Sequence, residues 1–567
     1  MQQHVFTIAN VCQQFGVKHA IICPGSRSAP LSLAFIQNQG ISCHSIIDER
    51  SAGFVALGMA QQLQEPVVLI STSGTACLNF FPAIAEAYYQ KIPLLVLTAD
   101  RPPELLNQQD GQMIMQKGVF GKHVLASHEL LCFEEEKIDF KLTERLVLTS
   151  LEESMSNKGY GPVHINVPLR EPLYEMPFGL NQPPIILPKA KVSGSSYTNL
   201  PKLDALAQAW KISKKRMILV GQMPPSSEVT QYLSHILSQD DVVLIADVVS
   251  NQHSTSNIAL FDCILQFESH EVLKDLQPDL LISFGGPMVS KSLKLWLKTI
   301  KPANHFRIQS SSEMVDTYQN VTHPIEAEIN PYLKAFNSLK IFHNPTIKPY
   351  CEAWKSKDEK VKEILNKFTQ EKVWSEPSAM RKVFDSIPQN SQLQLGNSSS
   401  IRWASWLGIN SAGLAIYGNR GTSGIDGTVS TAIGSAQIQN QQTVSLVLGD
   451  LSLFYDQNAF WQRALPGNLK IVVLNNQSGN IFNWIDGPSN YPYELDYFTT
   501  PHHLSIEKLC LQYGLKHLAC STLEDLPSMI NALYEACDVP VLLELKFEEE
   551  SNLAAIKEFR TLKLSAI

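Results

Sequence analysis

Short, continuously apolar segments alternate with longer amphipathic segments through the first third of the chain. Four apolar segments, rich in branched side chains, lie at 19–23, 66–71, 93–100 and 163–168. Segments 51–63 and 75–90 have the length and apolar spacing of helices that pack on a sheet. A strand without polar alternation is covered on both faces, as in a parallel sheet between two helical layers. The pattern predicts a doubly wound α/β domain.

The same alternation returns twice further along the chain. The middle third has candidate strands at 216–221, 242–248, 280–286 and 305–309, and the last third at 392–397, 414–420, 443–450, 469–476 and 540–547. Pro, Ser and Gly crowd into 178–200, which indicates a linker. The expectation is three doubly wound parallel-sheet domains, over residues 1–180, 195–345 and 370–567.

Composition narrows the function classes. Of 567 residues, 44% are hydrophobic and 18% charged, which is typical of folded domains rather than of a disordered chain. The net charge is −8 and the sequence pI is about 6.0, so the chain has no global positive field for nucleic acid. Small anionic ligands can still bind at local clusters.

Cysteine usage and the motifs missing from the sequence exclude further classes of function. The ten cysteines form no CxxC pair and no zinc-like spacing, which disfavours a structural metal site. A signal-peptide pattern and a run of eighteen apolar residues are both missing from the sequence, so we expect a cytoplasmic protein without a membrane partner. GxxxxGK, GxSxG and HExxH are also missing, which removes support for the common NTPase and hydrolase mechanisms.

Hard oxygen donors follow two candidate strands of the last third. Asp450 ends one strand, and Asn475 and Asn476 end the next, one strand-helix-strand unit later. Because carboxyl ends of parallel strands meet at one edge of a sheet, Asp450 and Asn476 should be neighbours. Carboxylate, amide and carbonyl oxygens suit Mg²⁺ that also holds a phosphate. The alternative is that these are ordinary turn residues.

The segments GDLS (449–452) and NNQSGNIF (475–482) resemble the signature of thiamine-diphosphate enzymes, with Leu451 where most of them have Gly. Five further segments agree: CPGSRSAPL (23–31), IDERSAGFVALGMA (47–60), STSGTACLNFFPAIAEAYY (71–89), LTADRPPEL (97–105) and YGNRGTSGIDGTVSTAIG (417–434). Together they resemble the 2-succinyl-5-enolpyruvyl-6-hydroxy-3-cyclohexene-1-carboxylate synthase family of menaquinone biosynthesis. The resemblance covers both outer domains and is weakest in the middle one.

This resemblance implies thiamine diphosphate as cofactor, with Mg²⁺ or Mn²⁺. Glu49 matches the glutamate that contacts the cofactor's aminopyrimidine ring and promotes its activation, although a carboxylate there could instead complement a helix dipole. Asp450, Asn476 and the carbonyl of Ser478 match the metal ligands, while Asn475 is expected to hold the turn. Ile425 matches an apolar residue wedged against the cofactor; otherwise it is plain core.

The resemblance also implies a substrate site rich in arginine. The matching residues are Ser26, Arg27, Arg101, Gln112, Ser398, Arg402 and Arg420. Guanidinium groups that converge on one cleft repel one another unless anions neutralise them, and guanidinium binds carboxylate in bidentate fashion. Taken singly, each arginine could instead form a surface ion pair. Lys291 aligns with a substrate-contacting lysine of the middle domain, but Ser292 stands where arginine is common.

Two further segments carry expectations. Ile481 and Phe482 match apolar residues that close over the reacting centre, and their alternative is core packing. His502 and His503 match no family acid or base, so we expect them to be solvated loop residues.

The activity implied by the resemblance is that of a transferase that decarboxylates 2-oxoglutarate and joins the remaining carbon unit to isochorismate. Cofactor sites in such enzymes lie between domains of different subunits, which implies a homodimer, with a homotetramer as a further option. Two alternatives stay open: another thiamine-diphosphate decarboxylase or carboligase, such as an acetolactate-synthase-like protein, and a non-catalytic relative that keeps the fold.

Overall fold

A computed structural model describes residues 4–132, 140–156, 159–174, 200–238, 240–253, 258–311, 313–341, 348–370, 373–410, 413–485, 487–491 and 493–564. Every structural statement below concerns these residues. Of the linker predicted at 178–200, all but Leu200 lies outside them.

The first sheet domain carries eight strands and six helices. Its strands are β1 (His19–Ile22), β2 (Ser42–Ser45), β3 (Val67–Ser71), β4 (Leu94–Asp100), β5 (Ala126–Glu129), β6 (Met155–Ser156), β7 (Gly159–Tyr160) and β8 (Pro162–Pro168). Its helices are α1 (His4–Phe15), α2 (Ala29–Gln37), α3 (Glu49–Leu63), α4 (Ala76–Asn79), α5 (Phe81–Gln90) and α6 (Phe140–Ser154). Strands β6 and β7 form a separate antiparallel pair.

The second sheet domain is smaller. Its strands are β9 (Arg216–Val220), β10 (Val243–Ala246), β11 (Leu280–Phe284), β12 (Asn304–Gln309) and β13 (His323–Glu326). Its helices are α7 (Leu203–Ile212), α8 (Ser227–Leu237), α9 (Phe261–Phe267), α10 (His270–Asp275), α11 (Lys291–Thr299) and α12 (Ile329–Ser338). The long helix α13 (Lys348–Gln370) follows it.

The third sheet domain completes the chain. Its strands are β14 (Gln392–Leu395), β15 (Ala415–Tyr417), β16 (Val444–Gly449), β17 (Leu469–Asn475), β18 (Lys516–Cys520) and β19 (Val541–Lys546). Its helices are α14 (Glu376–Asp385), α15 (Ser399–Leu407), α16 (Thr428–Ile438), α17 (Asp450–Tyr455), α18 (Asp496–Thr499), α19 (Ile506–Tyr513), α20 (Leu526–Tyr534) and α21 (Glu549–Thr561).

All three main sheets are parallel, which confirms the predicted fold class. The first sheet runs β2-β1-β3-β4-β8-β5 and the third runs β15-β14-β16-β17-β19-β18, so the outer domains share one strand order. In such sheets, ligands bind at the carboxyl ends where the strand order reverses. These switch points lie after β1 and β3 in the first domain, and after β14 and β16 in the third.

Burial explains which strands the sequence pattern predicts. Every residue of β3, β4, β8, β9 and β17 is buried, as their continuous apolar sequences require. Strands β2, β5, β13 and β18 are edge strands that are half exposed and contain His, Ser, Glu or Lys, so the apolar pattern does not predict them. Within the described residues, no helix combines the length and apolarity needed to cross a bilayer.

Helices α3 and α16 join the outer domains of one chain into a single apolar core. Each contributes a glycine at the crossing: a Cβ at Gly58 would collide with the Thr431 carbonyl, and a Cβ at Gly434 with the Val55 carbonyl. The two backbones therefore approach more closely than larger side chains would allow. This packing fixes the amino terminus of α3, where Glu49 lies, relative to the third domain.

Asp456 closes the amino-terminal turn of α16. Its carboxyl group is fully buried and accepts the N–H of Ser430 at 2.7 Å and its hydroxyl at 2.9 Å. Burial raises the pKa of Asp456 from 3.8 to about 7. The folded protein therefore keeps this proton at pH values where the unfolded chain has released it.

An Asp456→Asn variant should for that reason lose part of the pH dependence of stability. As pH rises from about 4 to about 7, the wild-type free energy of unfolding should fall relative to the variant by on the order of 3 kcal/mol and then level off. Urea denaturation at pH 5 and 8 measures this difference. Asp525→Asn, at an exposed position, is the control; equal slopes in all three proteins would contradict the expectation.

Candidate active site

The amino terminus of α3 presents two adjacent carboxylates with different tasks. Asp48 is the helix cap: its Oδ1 accepts the N–H groups of Arg50 at 2.9 Å and Ser51 at 3.3 Å. Glu49 is the first helical residue, is half buried, and accepts a hydrogen bond from Asn79 Nδ2 at 3.2 Å. Capping is thus performed by Asp48, and the Glu49 carboxylate is left to face a cavity.

That cavity has a volume of about 450 Å³ and opens at the carboxyl ends of β1 and β3. Its lining includes Glu49, Gln112 and the segments 24–25 and 72–76. The size falls in the usual range for small-molecule sites, and its place is the switch point of the first sheet. All of the lining residues belong to the first domain, so the cavity in one chain does not include the predicted residues of the third.

Arg27 and Arg101 form a buried pair beside this cavity, with exposures of 6% and 9%. Arg101 binds Asp110 through Nε and Ser73 Oγ through Nη1 at 2.9 Å. Arg27 donates to the Leu169 carbonyl at 3.0 Å and lies 3.4 Å from a Glu171 oxygen. Burial lowers the pKa of Arg27, and the charge of Arg101 lowers it further.

The remaining two residues predicted in this region lie around the same turns. Ser26 is exposed in the turn after β1, next to Gly25 of the cavity wall. The Gln112 carbonyl accepts from Arg101 Nη1 at 3.4 Å, and Gly74, at φ +85°, packs against the Gln112 backbone. Arg101 therefore holds the loop that carries Gln112 over the cavity.

Asp450 lies at the switch point of the third sheet, as the first residue of α17. It is 2% exposed. Its Oδ1 accepts the Leu451 N–H at 2.7 Å, and its Oδ2 accepts the Gln477 N–H at 2.6 Å. Strands β16 and β17 pair in parallel up to Gly449 and Leu474. The expected proximity of Asp450 to the turn after β17 is confirmed.

The turn after β17 holds its two asparagines in different ways. Asn475 donates to Glu544 Oε1 at 2.6 Å and accepts the Gln477 N–H at 3.2 Å, which confirms that it holds the turn. Asn476 Oδ1 accepts the Ser478 N–H at 3.2 Å. Ser478 is 7% exposed, and its buried Oγ has no partner among the described residues. Asp450, Asn476 and Ser478 are thus brought together.

Three apolar residues predicted near the cofactor surround this turn. Ile425 is 39% exposed, and its carbonyl accepts from Ser452 Oγ of α17 at 2.7 Å. Ile481 is buried, and the half-buried ring of Phe482 lies 6.0 Å from that of Phe498. Ile481 packs at the edge of an apolar core, whereas the Ile425 side chain is partly exposed.

His502 corrects an expectation. Its polar sequence context predicts a solvated side chain, but that side chain is only 12% exposed, and Nε2 lies 3.5 Å from Asp450 Oδ2. Its ring packs edge-on against Phe454, with ring centroids 5.3 Å apart. Its backbone N–H donates to the Gln477 carbonyl at 2.9 Å. The loop after α18 directs the His502 side chain inward. The residues next to His502 in the sequence do not indicate this burial. His503 is exposed, as expected.

Arg402 and Arg420 form a second arginine pair near the carboxyl end of β14. Arg402 donates to the Ser398 carbonyl at 2.8 Å, and Arg420 donates to Asn397 Oδ1 at 2.7 Å. Burial lowers the pKa of both guanidinium groups, and Arg420 lowers that of Arg402 further. Within the described residues neither forms an ion pair, and the buried Nε of Arg420 has no partner.

Two main-chain features support this pair. Ser398 adopts φ 73° and ψ −126°, a conformation costing on the order of 1–3 kcal/mol for a residue with a side chain, which is typical of functional sites. Glu86 of the first domain accepts the N–H groups of Gly421 at 2.7 Å and Thr422 at 2.6 Å. Glu86 therefore fixes the loop that begins at Arg420, and it was not singled out from the sequence.

The middle domain places a different lysine near these arginines. Lys291 is the exposed first residue of α11. Lys294, one turn later, is half buried; burial lowers its pKa, and the nearby charges of Arg420 and Arg402 lower it further. Ser292, where the family often has arginine, hydrogen-bonds to the buried Asp262. Of the two lysines, Lys294 is the one with an electrostatic link to the arginine pair.

Comparisons with known proteins agree with this geometry. Residues 5–119 match the family described as thiamine pyrophosphate enzyme, N-terminal TPP binding domain, and residues 194–395 match the middle domain of thiamine pyrophosphate enzymes. A 2-succinyl-5-enolpyruvyl-6-hydroxy-3-cyclohexene-1-carboxylate synthase from Cytophaga hutchinsonii is 36% identical over 98% of each chain. The synthase of the same name from Desulfotalea psychrophila is 38% identical over 92% of this chain and 94% of its own.

The chain belongs to this synthase family.

A third relative of the same name, from Bacteroides thetaiotaomicron, is 32% identical over 98% of each chain. Membership of the synthase family makes the chain a thiamine-diphosphate-dependent transferase. The residues present fit that cofactor: Glu49 faces a cavity of suitable size, and the buried Asp450 carboxylate contacts the turn of Ser478, whose Oγ has no partner within the described ranges. The donor set of carboxylate, amide and carbonyl oxygens suits a hard divalent cation.

Proposed function

We propose that the protein decarboxylates 2-oxoglutarate and joins the remaining four-carbon unit to isochorismate, forming 2-succinyl-5-enolpyruvyl-6-hydroxy-3-cyclohexene-1-carboxylate. The observation that carries the proposal is the Arg402 and Arg420 pair, which is partly buried and has no ion-pair partner among the described residues. Two like charges in that setting are unfavourable unless anions bind them. Both proposed substrates carry carboxylates, the natural partners of guanidinium.

Two carboxylates raise the pKa of Arg420, those of Asp247 and Glu86, and both also accept backbone N–H groups. Asp247 raises the pKa of Arg420, but its oxygens accept the N–H groups of Val249 at 3.2 Å and Val289 at 2.6 Å. The arginine pair therefore keeps capacity for an external carboxylate. Lys294 lies near the same charges and would add a third cationic group, so a doubly charged substrate suits the site better than pyruvate does.

The cofactor would lie between two groups of residues. Glu49 would contact its aminopyrimidine ring, while Asp450, Asn476 and the Ser478 carbonyl would hold Mg²⁺ or Mn²⁺ and, through it, the diphosphate. When bound, thiamine diphosphate supplies an electron sink that makes decarboxylation possible. Ile425, Ile481 and Phe482 would limit water there, because premature protonation would divert the reaction to succinic semialdehyde.

A second copy of the chain would complete each site. The cavity at Glu49 is lined by the first domain alone, and large apolar side chains are exposed on both outer domains, at 50% for Ile47, 43% for Leu78, 51% for Tyr455 and 54% for Trp461. Aromatic side chains such as those of Tyr455 and Trp461 are enriched where subunits meet. We propose a homodimer at least, and light scattering after size-exclusion chromatography measures its mass.

Product analysis tests the proposed activity. Purified protein is supplied with thiamine diphosphate, Mg²⁺, 2-oxoglutarate and isochorismate, and the product is identified by mass spectrometry together with released CO₂. CO₂ release from pyruvate in preference to 2-oxoglutarate would instead support an acetolactate-synthase-like enzyme. No turnover with either acid, in protein that binds the cofactor, would support a non-catalytic relative.

An Arg402→Ala variant should weaken use of the dicarboxylic substrate. Loss of a charged hydrogen bond of about 1.5–3 kcal/mol corresponds to a roughly 10–100-fold lower kcat/KM for 2-oxoglutarate or isochorismate. Steady-state kinetics with each substrate varied in turn measures the effect. Arg145→Ala is the matched control, since Arg145 is exposed on α6 of the first domain. Unchanged kinetics in Arg402→Ala would assign Arg402 to the structure alone.

A further inference from the structure

Glu376 lies at the centre of a buried hydrogen-bond network in the third domain. It is the first residue of α14 and is completely buried. Its Oε1 accepts Nδ2 of Asn476 at 2.9 Å, and its Oε2 accepts Nε1 of Trp403 at 2.8 Å. Two further amides donate to Oε1, those of Asn552 at 2.9 Å and Asn480 at 3.4 Å. Within the described residues, no cation pairs with this carboxylate.

The chemistry of the four partners determines what Glu376 does. Each partner is an N–H donor, so both carboxyl oxygens act as acceptors. An amide that faces an acceptor must present its nitrogen, so Asn476 presents Nδ2 to Glu376 and its Oδ1 points away from Glu376. Asn476 Oδ1 is thereby directed to the turn after β17, where it accepts the Ser478 N–H at 3.2 Å. The same turn donates the Gln477 N–H to Asp450 at 2.6 Å.

We propose that Glu376 is a positioning residue for the divalent-cation and diphosphate site, because its carboxylate holds the Asn476 amide with Oδ1 toward the turn that also binds Asp450. The inference rests on the proposed role of Asp450 and Asn476 in cation binding. Contacts behind a ligand orient it and commonly contribute 10–100-fold to metal affinity. Glu376 lies 74 residues before Asp450 in the chain, so no local sequence motif links Glu376 to the proposed cation site.

The chain contains a matched control on β19, the strand that pairs with β17. Glu544 of β19 is 3% exposed and accepts Nδ2 of Asn475 at 2.6 Å and Nε2 of His517 at 2.8 Å. Successive asparagines are therefore each held by a buried carboxylate. Only Asn476 belongs to the proposed ligand set, so loss of the Glu544 carboxylate tests burial and the shape of the turn without a direct contact to a proposed ligand.

The experiment compares wild type, Glu376→Gln and Glu544→Gln. Thiamine diphosphate is titrated into each full-length apoprotein by calorimetry over a series of Mg²⁺ concentrations, and apoprotein Tm is measured in parallel. We expect Glu376→Gln to need about 10–100-fold more Mg²⁺ for cofactor binding, with binding restored at saturating Mg²⁺. Glu544→Gln should keep the wild-type Mg²⁺ requirement even where its Tm falls.

The outcomes separate this inference from the proposed function. An equal Mg²⁺ requirement in both variants would overturn the role of Glu376. The role would also be overturned if no Mg²⁺ concentration restored cofactor binding to Glu376→Gln. Cofactor binding by wild type that does not depend on Mg²⁺ would overturn the proposed cation site itself. Where Glu376→Gln does not fold, Glu376→Asp, which retracts the acceptor by one methylene, should show the same raised Mg²⁺ requirement; a wild-type requirement there would overturn the inference.

Discussion

Replacing Glu49 with Gln should leave thiamine diphosphate bound and lower kcat by roughly 10²–10⁴-fold, the usual contribution of a positioned acid or base. The glutamine keeps the size of the side chain and can still accept from Asn79, which now donates at 3.2 Å. It cannot exchange a proton with the aminopyrimidine ring at the pH of the assay. The loss should therefore appear in turnover and not in cofactor affinity.

The measurement is steady-state turnover together with cofactor affinity by calorimetry on the same preparation. Glu65→Gln is a matched control, since Glu65 pairs with Lys18 at 2.8 Å on the surface of the same domain. Near-normal turnover in Glu49→Gln would remove Glu49 from the proposed role. Loss of cofactor binding along with turnover would instead make Glu49 a residue of binding alone.

The sequence predicts the central strands and the helices between them because both carry strong, regular signals. Fully buried strands such as β3 and β17 need continuous apolar side chains, and a parallel sheet between helices is the fold that covers both faces. Edge strands obey no such constraint. The segment Ser42–Ser45 contains no aliphatic residue, yet it pairs with β1 in register over four residues. The common strand order of the outer domains depends on these edge strands and therefore could not be predicted from the sequence.

Site residues could be predicted where a strand end or a family motif marks them. They could not be predicted where only the tertiary fold places them near the site. Asp450 and Asn476 follow strands that adjoin, so their proximity follows from topology. Glu376 and His502 reach the same turn from distant segments, and no periodicity connects them to it. Lys294 is similar, since only the packing of the middle domain relates it to Arg402 and Arg420.

The four arginines predicted to face substrate separate into two pairs with different electrostatics. Arg101 is neutralised by Asp110, and Arg27 lies 3.4 Å from an oxygen of Glu171. The pair of the third domain has no such partner among the residues that the structure describes. Charge alone therefore gives the third-domain pair the stronger case for binding substrate carboxylate, and it predicts a larger kinetic effect there than at Arg27.

Replacing Asp450 with Asn should cause the second large effect, the loss of cation-dependent cofactor retention. The carboxylate accepts two backbone N–H groups, at 2.6 and 2.7 Å, which orient it without occupying all of its acceptor capacity. Asparagine removes the negative charge and presents an N–H₂ group to at least one of those donors. Loss of a proposed direct ligand should exceed the 10–100-fold cost of losing a contact behind one, so apparent Mg²⁺ affinity should fall at least about 100-fold.

Thermal denaturation gives a direct measurement of this loss. A ligand at 100 times its Kd stabilises the folded state by about 2.7 kcal/mol, so Mg²⁺ and thiamine diphosphate together should raise the Tm of wild type measurably. Asp450→Asn should show little of that rise, while Asp385→Asn, at a surface position paired with Arg381, should show all of it. A full rise in Asp450→Asn would mean that the cation binds elsewhere.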